Sequence, residues 1–312
     1  MAPPVERSAK PILKWAGGKR QLLPALRPYY PRMFRRYFEP FLGSGAVFLD
    51  LYNRGSLEGR EVYLSDINAD IIGCYRAVRD DPEAVIAALT VLEREHRTLG
   101  RDHFYVVRDQ RFNPARRALD ATSTPAARYA PELAAMLIYL NRTGYNGLFR
   151  VNADGAFNVP AGRYASARIC DPDNLRLLAT ALRSRGVHVD SRPFDLALGR
   201  AGRRDFVYLD PPYAPLSRTA HFRSYTAGGF GPEQQAALQR SVLALAGRGA
   251  QVLLSNSVAP AIRELYAENA DAHSAGLRAV TVPARRAINS QPARRGAILE
   301  YLITNVQPAE VV

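Results

Sequence analysis

The sequence contains very little cysteine, histidine or tryptophan. Its 312 residues include only Cys74, Cys170, five histidines and one tryptophan. Two distant cysteines are too few for a disulfide framework, and neither the cysteines nor the histidines show the paired spacing of a zinc site. The composition therefore predicts a protein that holds no metal.

Long apolar runs are also absent. No stretch approaches the roughly 20 apolar residues that a membrane-spanning helix needs. Residues 1–7 lack the apolar core of a secretory signal peptide. We therefore expect a cytoplasmic protein with no membrane partner.

Acidic residues are scarce relative to basic ones. The chain has 42 Lys plus Arg against 29 Asp plus Glu, a formal net charge of +13. An excess of this size favours a polyanionic partner such as nucleic acid. A general bias of the proteome towards basic residues, or solubility alone, is the alternative explanation.

The most informative stretch is DFVYLDPPY, residues 205–213. Its apolar run is typical of a buried strand in a parallel sheet, and the strand ends at Asp210. Pro211 and Pro212 then keep the backbone extended and stiff, because proline fixes its own φ and restricts the residue before it. Ligands bind at this edge of open α/β sheets, so residues 210–213, here called the DPPY rim, are a candidate site.

The DPPY rim suits a planar heterocycle with an exocyclic amine. Tyr213 would stack on the ring, while Asp210 and the carbonyl of Pro211 would each accept one N–H hydrogen. The amine nitrogen would then direct its lone pair away from the ring, ready to attack. The alternative is a strand followed by a Pro-Pro turn in which Asp210 is only a local cap.

A second ligand-binding pattern lies nearer the N-terminus. A strand over 37–41 leads into a tight turn at Gly43 and Gly45, and an apolar helix follows over 46–52. Another strand, 61–66, ends at Asp66, close to the roughly 20-residue spacing at which a carboxylate binds ribose hydroxyls. The missing third glycine disfavours a dinucleotide and favours an adenosine cofactor without phosphates. Asp66 and Asn68 could equally cap the helix predicted over 68–79.

The middle of the chain predicts a helical region with a long loop. Residues 81–130 read as helical apart from a loop-like stretch at 112–125, and an apolar helix follows over 131–140. Residues 141–164 then interleave Gly, Asn, Arg and Tyr on a loop with a short hairpin, which is what reading DNA bases requires. An ordinary turn-rich connection is the alternative, although loops of this length are usually functional.

The remaining elements complete a sheet with helices. We expect helices over 171–185, 232–246 and 259–266, strands over 187–194 and 251–256, and a polar loop over 214–230. Strands at 280–282 and 297–304 are expected to pair antiparallel at a sheet edge. The basic link between them is either a solvated loop or a phosphate clamp, and it contains Arg285, Arg286, Arg294 and Arg295.

Six motifs in one order resemble the Dam-type DNA adenine N6-methyltransferases over nearly the whole chain. They are LKWAGGK at 13–19, EPFLGSG at 39–45, DIN at 66–68, YNGLFR at 145–150, FNVP at 157–160 and DPPYAPLS at 210–217. This order marks the class in which the target-recognition domain lies between the cofactor motifs and the catalytic motif.

The resemblance implies an α/β fold. It consists of a Rossmann-like, seven-stranded sheet that binds S-adenosylmethionine, with an inserted, mainly helical target-recognition domain carrying a β-hairpin. The expected catalytic domain spans 1–69 and 171–312, and the expected recognition domain spans 70–170.

The resemblance also implies three sets of site residues. The expected catalytic residues are Asp210, Pro211, Pro212 and Tyr213. The expected cofactor residues are Trp15, Lys19, Glu39, Pro40, Phe41, Gly43, Gly45, Asp66, Phe194 and Asp210. The expected DNA contacts are Lys14, Tyr145, Asn146, Leu148, Arg150, Asn158, Pro160, Arg163 and Tyr164. Phe149, at a position where relatives vary, is given no role.

The implied activity is methyl transfer from S-adenosylmethionine to N6 of a flipped adenine in double-stranded DNA, with GATC as the target. We expect a monomer that is associated with the bacterial nucleoid or encoded by a phage. Two alternatives stay open. One is an amino-methyltransferase acting on cytosine N4, on RNA or on a protein amide. The other is a catalytically silent DNA-binding module, which the intact cofactor motifs disfavour.

Overall fold

The computed structural model describes residues 8–15, 19–121, 129–164, 167–215, 230–285 and 297–309. The chain forms two compact units. The first, here called the helical unit, comprises 1–18, 43–56 and 68–189, and the second, the sheet unit, comprises 19–42, 57–67 and 190–312. The domain boundaries expected at residues 70 and 170 stay a prediction. The loop expected over 214–230 and the basic link beyond Arg285 lie almost wholly outside the described residues.

Seven strands form one mixed sheet in the order β3-β2-β1-β4-β5-β7-β6, which confirms the expected Rossmann-like fold. The strands are β1 Arg36–Glu39, β2 Glu61–Asp66, β3 Val187–Ser191, β4 Phe206–Leu209, β5 Gln251–Ser257, β6 Arg278–Arg285 and β7 Ala297–Thr304. Strand β1 pairs in parallel with β2 and β4, and β4 pairs in parallel with β5. Strand β7 runs antiparallel to both β5 and β6, as expected for the C-terminal pair.

The core of the sheet unit explains why β4 has no polar residue. All four residues of β4 are buried, because helices cover both faces of a sheet of this kind. Val207 and Leu209 belong to one apolar cluster with Val252 and Leu254 of β5. Helix α10, Pro232–Gly247, adds three more members at helical spacing, namely Leu238, Val242 and Leu245.

The remaining helices are mostly in the helical unit. Those described are α1 Leu23–Leu26, α2 Ala46–Asn53, α3 Ala69–Asp80, α4 Pro82–Leu99, α5 Arg101–Val106, α6 Asn113–Ala121, α7 Pro131–Thr143, α8 Pro172–Arg183, α9 Phe194–Leu198, α11 Pro260–Ile262 and α12 Ala270–Ser274. The side chain of Asn68 caps α3 by accepting from the amides of Asp70 and Ile71. Asp81 caps α4 and Asp171 caps α8 in the same way.

Three sequence expectations were wrong in part. The described part of the stretch 112–125, residues 112–121, is not loop-like, because a π-helical turn over Val107–Phe112 joins α5 to α6, which continues to Ala121. The strand expected over 187–194 ends at Ser191, and Phe194 begins α9 instead. The helix expected over 259–266 is a single α-helical turn followed by a π-helical turn, Arg263–Ala267.

Candidate active site

The DPPY rim follows β4 directly, and a buried ion pair fixes its carboxylate. The Lys19 ammonium lies 2.7 Å from Oδ1 of Asp210, with the lysine side chain 5% and the aspartate 20% exposed. Ser255 on the neighbouring strand β5 donates its hydroxyl to the same oxygen at 3.1 Å. Two donors therefore orient one oxygen of Asp210 and fix the direction of the other.

Neighbouring groups shift the pKa of the Asp210 carboxyl in opposite directions. Burial raises the pKa of the Asp210 carboxyl above its ordinary value, and the nearby Glu300 carboxylate acts in the same direction. The Lys19 ammonium and the Ser255 hydroxyl oppose this shift, and the pKa remains raised. Lys19 and Ser255 therefore offset part of the cost of burying the carboxylate charge.

The two proline carbonyls of the rim differ in their partners. Gln235, a buried residue of α10, donates its side-chain amide to the Pro212 carbonyl at 2.9 Å. No hydrogen bond between described residues ends on the Pro211 carbonyl. Asn256 of β5 donates to Gln235 at 3.1 Å and accepts from the Ala214 amide at 3.2 Å. This network fixes the backbone after Pro212 and leaves the Pro211 carbonyl as an acceptor for a ligand.

Tyr213 is held at both its ring and its hydroxyl. The hydroxyl donates to Oε2 of Glu300 on β7 at 2.7 Å, and the Lys19 ammonium lies 4.5 Å from the ring centroid. Burial raises the pKa of Tyr213 well above its ordinary value, so the phenol stays neutral. The rim thus presents a carboxylate, a carbonyl and an anchored aromatic ring.

Carboxylates follow or end the neighbouring parallel strands of the sheet unit. Glu39 ends β1 and is buried, accepting the Tyr37 hydroxyl at 2.8 Å. Asp66 ends β2 and is half-buried. Since β1, β2 and β4 are parallel, Glu39, Asp66 and Asp210 lie at the same sheet edge, where α/β sheets bind ligands.

Aromatic rings lie beside this edge in the sheet unit. Phe41 stacks on Phe194 with centroids 5.5 Å apart and an interplanar angle of 26°, and Phe230 meets Phe41 edge-on at 5.7 Å. All three rings are only partly buried. They form an apolar surface suited to a planar ring, whereas Pro40, also expected near a cofactor, is buried.

The expected cofactor residues of the helical unit are Trp15, Gly43 and Gly45. Gly43 has φ +47°, and a Cβ there would lie 2.9 Å from Cδ1 of Trp15, so only glycine fits. Gly45, with φ +64°, begins α2. The Trp15 ring packs against Phe149 with centroids 6.0 Å apart and stays half-buried. It is therefore partly a core residue and partly accessible.

Residues 144–164, here called the recognition loop, lie in the helical unit and carry most of the expected DNA contacts. Two isolated antiparallel bridges, Gly144–Ala161 and Val151–Phe157, join its limbs. The Asn158 amide donates to the Arg150 carbonyl at 3.0 Å. The expected β-hairpin is thus present as two paired limbs rather than as regular strands.

Arg150 extends from the recognition loop in a fixed direction. Its Nε donates to Oδ1 of Asn158 at 2.7 Å, and one terminal nitrogen donates to the Asn158 carbonyl at 3.3 Å. Tyr145 is 40% and Tyr164 is 41% exposed. Leu148, Pro160 and Arg163 also have accessible surface, so the loop presents aromatic, apolar and cationic groups together.

Lys14 lies against the recognition loop. Its ammonium lies 4.1 Å from the centroid of the Tyr164 ring and donates to the Arg142 carbonyl at 3.2 Å. Burial, assisted by the charge of Arg142, lowers the pKa of Lys14. A Cβ at Gly147 would lie 2.3 Å from the Lys14 side chain, and the left-handed Asn146 and Gly147 make this close approach possible.

Sequence reasoning missed the residues that support these sites. Asn141 donates to the carbonyls of Lys14 and Gly147 and accepts the Lys14 amide. Ser255 and Asn256 hold the DPPY rim, as do Gln235 and Glu300. The one available signal was a pair of polar residues, Ser255 and Asn256, at the end of an apolar strand.

The described ranges contain neither a membrane-spanning helix nor a metal-binding cluster. No helix there is long and apolar enough to cross a membrane. Within the same ranges no group of three or more His, Cys, Asp or Glu side chains could hold a metal ion.

The mixed sheet, the carboxylates at the ends of its parallel strands and the DPPY rim are the features expected of a methyltransferase of the amino-group class. Residues 15–280 match the family model of the D12 class of N6 adenine-specific DNA methyltransferases, and the chain belongs to this family. It is an adenine-specific DNA methyltransferase by this membership.

Similar proteins span nearly the whole chain. The chain is 36% identical to the type II methyltransferase M1.LlaDCHI of Lactococcus lactis subsp. cremoris, over 95% of both chains. It is 36% identical to the type II methyltransferase M.MjaIII of Methanocaldococcus jannaschii, over 95% of this chain and 99% of that one. It is 35% identical to the DNA adenine methylase of Escherichia coli K12, over 93% of both.

Proposed function

We propose that this chain transfers a methyl group from S-adenosylmethionine to N6 of an adenine in the sequence GATC of double-stranded DNA. The observation that carries the proposal is the DPPY rim. Asp210 offers one oriented oxygen, Pro211 a carbonyl without a partner among the described residues, and Tyr213 an anchored ring. An aminopurine ring with two N–H hydrogens matches these three groups. Because the substrate is duplex DNA, we also infer a cytoplasmic location.

The residues of the sheet edge fit the proposed cofactor. Asp66 is placed to accept ribose hydroxyls, and the stacked pair Phe41 and Phe194 suits an adenine ring. Lys19, Glu39 and Asp210 would hold the charged amino-acid part. When bound, S-adenosylmethionine supplies an activated methyl group on a sulfonium. The roles expected of Trp15, Gly43 and Gly45 in the helical unit stay part of the proposal.

The protein then acts chiefly by positioning. Tyr213 stacks on the flipped adenine while Asp210 and the Pro211 carbonyl accept its two N6 hydrogens. This arrangement aims the N6 lone pair along the line of the methyl group, and correct orientation supplies most of the rate enhancement. The product amine is briefly cationic and strongly acidic, so Asp210 or water takes its proton.

The recognition loop supplies the proposed base readout. Asn158 orients the guanidinium of Arg150, whose fork matches O6 and N7 of guanine. Exposed Tyr145 and Tyr164 offer rings for contact with DNA bases and sugars. The relatives named DNA adenine methylase, such as that of Escherichia coli K12, support an adenine target.

The proposed target sequence can be tested in cells. The gene is expressed in a bacterial strain that lacks adenine methylation, and plasmid DNA is digested with two nucleases that cut GATC. One of the nucleases requires N6-methyladenine and the other is blocked by it. We expect protection from the second and cleavage by the first. Unprotected GATC sites together with methylation elsewhere, or at cytosine N4, would replace the proposed target or atom.

A further inference from the structure

One limb of the recognition loop, residues 156–160, and the turn before it are hydrogen-bonded to the helical stretch 101–121. Arg116 donates to the Gly155 carbonyl at 2.6 Å. Asn113 accepts the Phe157 amide at 2.8 Å and donates to the Phe157 carbonyl at 3.0 Å. Further along, Arg108 donates to the Val159 carbonyl at 2.9 Å.

Phe157 and Val159 lie two residues apart on an extended limb, so their backbone groups point to the same side. Ala156 and Asn158 face the other limb, where they bond to Asn152 and Arg150. Asn113 and Arg108 thus take the place of a neighbouring β-strand on the limb's outer edge. Arg116 bonds to Gly155, which has φ +74° and lies in the turn before the limb.

The π-helical turn aligns these side chains. Residues five apart, such as Arg108 and Asn113, would lie roughly 140° apart around a regular helix of 3.6 residues per turn. In the π-helical turn the Asn113 amide bonds to the Arg108 carbonyl instead. This bond brings the two residues to nearly the same face, and Arg116 follows one turn later. Single π turns of this kind often occur at functional sites.

Arg116 is itself rigidly fixed. Its Nε and a terminal nitrogen bind both carboxylate oxygens of Asp70, at 2.8 and 2.7 Å. The ion pair is mostly buried, with the two side chains 15% and 11% exposed. Tyr129 donates a further hydrogen bond to Asp70 at 3.2 Å. The guanidinium also lies 6.0 Å from the ring centroid of Phe149.

From this geometry we infer that Arg108, Asn113 and Arg116 are positioning residues for base discrimination. They hold Phe157 and its neighbours, and thereby place Asn158, which orients Arg150. None of the three needs to read a base. The inference rests on the proposed function, because it assumes that the recognition loop reads DNA.

The test compares Arg116→Lys with Arg176→Lys. Arg176 makes a matched bidentate pair with Glu83, at 2.7 and 2.8 Å, and has no contact with the recognition loop among the described bonds. Lysine keeps the charge but loses the planar fork that binds Asp70 and Gly155 together. The measured quantities are amide hydrogen exchange over residues 156–158 and kcat/KM on GATC duplexes and on duplexes altered at one base pair.

We expect Arg116→Lys to speed hydrogen exchange of the Phe157 and Asn158 amides. We also expect it to lower the ratio of kcat/KM on the cognate duplex to kcat/KM on the altered duplex about tenfold, as a partial loss of one base contact would. Arg176→Lys should change neither. Unchanged exchange, or a drop in kcat/KM that is equal on all duplexes, would overturn the inference.

A second variant covers the case in which Arg116→Lys fails to fold. Arg108→Lys loses the guanidinium that donates to Val159 and leaves the buried Arg116–Asp70 pair intact, so it should show the same pattern more weakly. If the unaltered protein methylates no duplex, the proposed function fails. The exchange comparison still decides whether these side chains hold the loop.

Discussion

The hydrogen bond between Tyr213 and Glu300 gives the sharpest prediction about the DPPY rim. Glu300 lies on β7, and its carboxylate accepts the Tyr213 hydroxyl at 2.7 Å. The bond fixes the rotation of the ring on which the adenine is proposed to stack. We therefore expect Glu300→Gln to slow methyl transfer although Glu300 is not one of the residues proposed to bind either substrate.

The size of the effect follows from the kind of bond. A hydrogen bond to a charged group contributes about 1.5–3 kcal/mol and one between neutral groups about 0.5–1.5 kcal/mol. Glutamine keeps an oxygen that can accept the Tyr213 hydroxyl, and Glu300 is partly exposed, so we expect a loss of about 1 kcal/mol, a roughly fivefold fall in rate. The fall should appear in kcat rather than in KM, because ring orientation matters most in the transition state.

A double-mutant cycle isolates this contact. Tyr213→Phe removes the hydroxyl and keeps the ring, so Glu300→Gln should have almost no effect in that background. The assay is single-turnover methyl transfer to a duplex with one GATC site. Glu61→Gln, at the opposite end of the parallel strands, is the control and should leave the rate unchanged. Additive effects of the two substitutions would refute the positioning of Tyr213 by Glu300.

Three further predictions concern the other groups of the sites. The Lys19 ammonium lowers the pKa of the Asp210 carboxyl, so Lys19→Met should raise that pKa further and move the acid limb of the pH–rate profile to higher pH. An acid limb that does not move would contradict the role of the ion pair. Asp66→Ala should weaken S-adenosylmethionine binding by about 1.5–3 kcal/mol in calorimetry, and unchanged affinity would remove Asp66 from the site. Arg150→Ala should cost roughly 1–3 kcal/mol of discrimination at one base pair, measured as kcat/KM on single-base variants. A uniform loss across sequences, with a weaker salt dependence, would instead identify a phosphate contact.

Sequence patterns predicted the sheet edge well because its signals are local. Apolar runs that end in an acid located β2 and β4, and with them Asp66 and Asp210, and the apolar stretch 37–41 located β1. Glycine at 43 and 45 marked the turn that the positive φ angles require. These features depend on neighbouring residues in the chain, so a single sequence is enough to find them.

The helix over 113–121 could not be predicted in the same way. Pro114 lies in this stretch, and proline normally interrupts a helix. In the structure Pro114 lies in the first turn of α6, directly after the π-helical turn. The changed bonding pattern of that turn accommodates a residue without an N–H group.

The supporting contacts of the rim were also out of reach. Lys19 meets Asp210, and Tyr213 meets Glu300, across long separations in the chain. Nothing in the local pattern of either residue identifies its partner. The Tyr213–Glu300 pair follows from the strand order of the sheet, in which only β5 separates β4 from β7.

Asp210, we propose, presents adenine N6 to an activated methyl group. The direct measurement incubates the purified protein with S-adenosylmethionine carrying an isotopically labelled methyl group and a duplex with one GATC site. The DNA is then digested to nucleosides for mass spectrometry. We predict label in N6-methyladenine alone, and none above background with Asp210→Ala, which should still bind the duplex. Label in N4-methylcytosine, or transfer by Asp210→Ala within tenfold of the unaltered protein, would contradict the account.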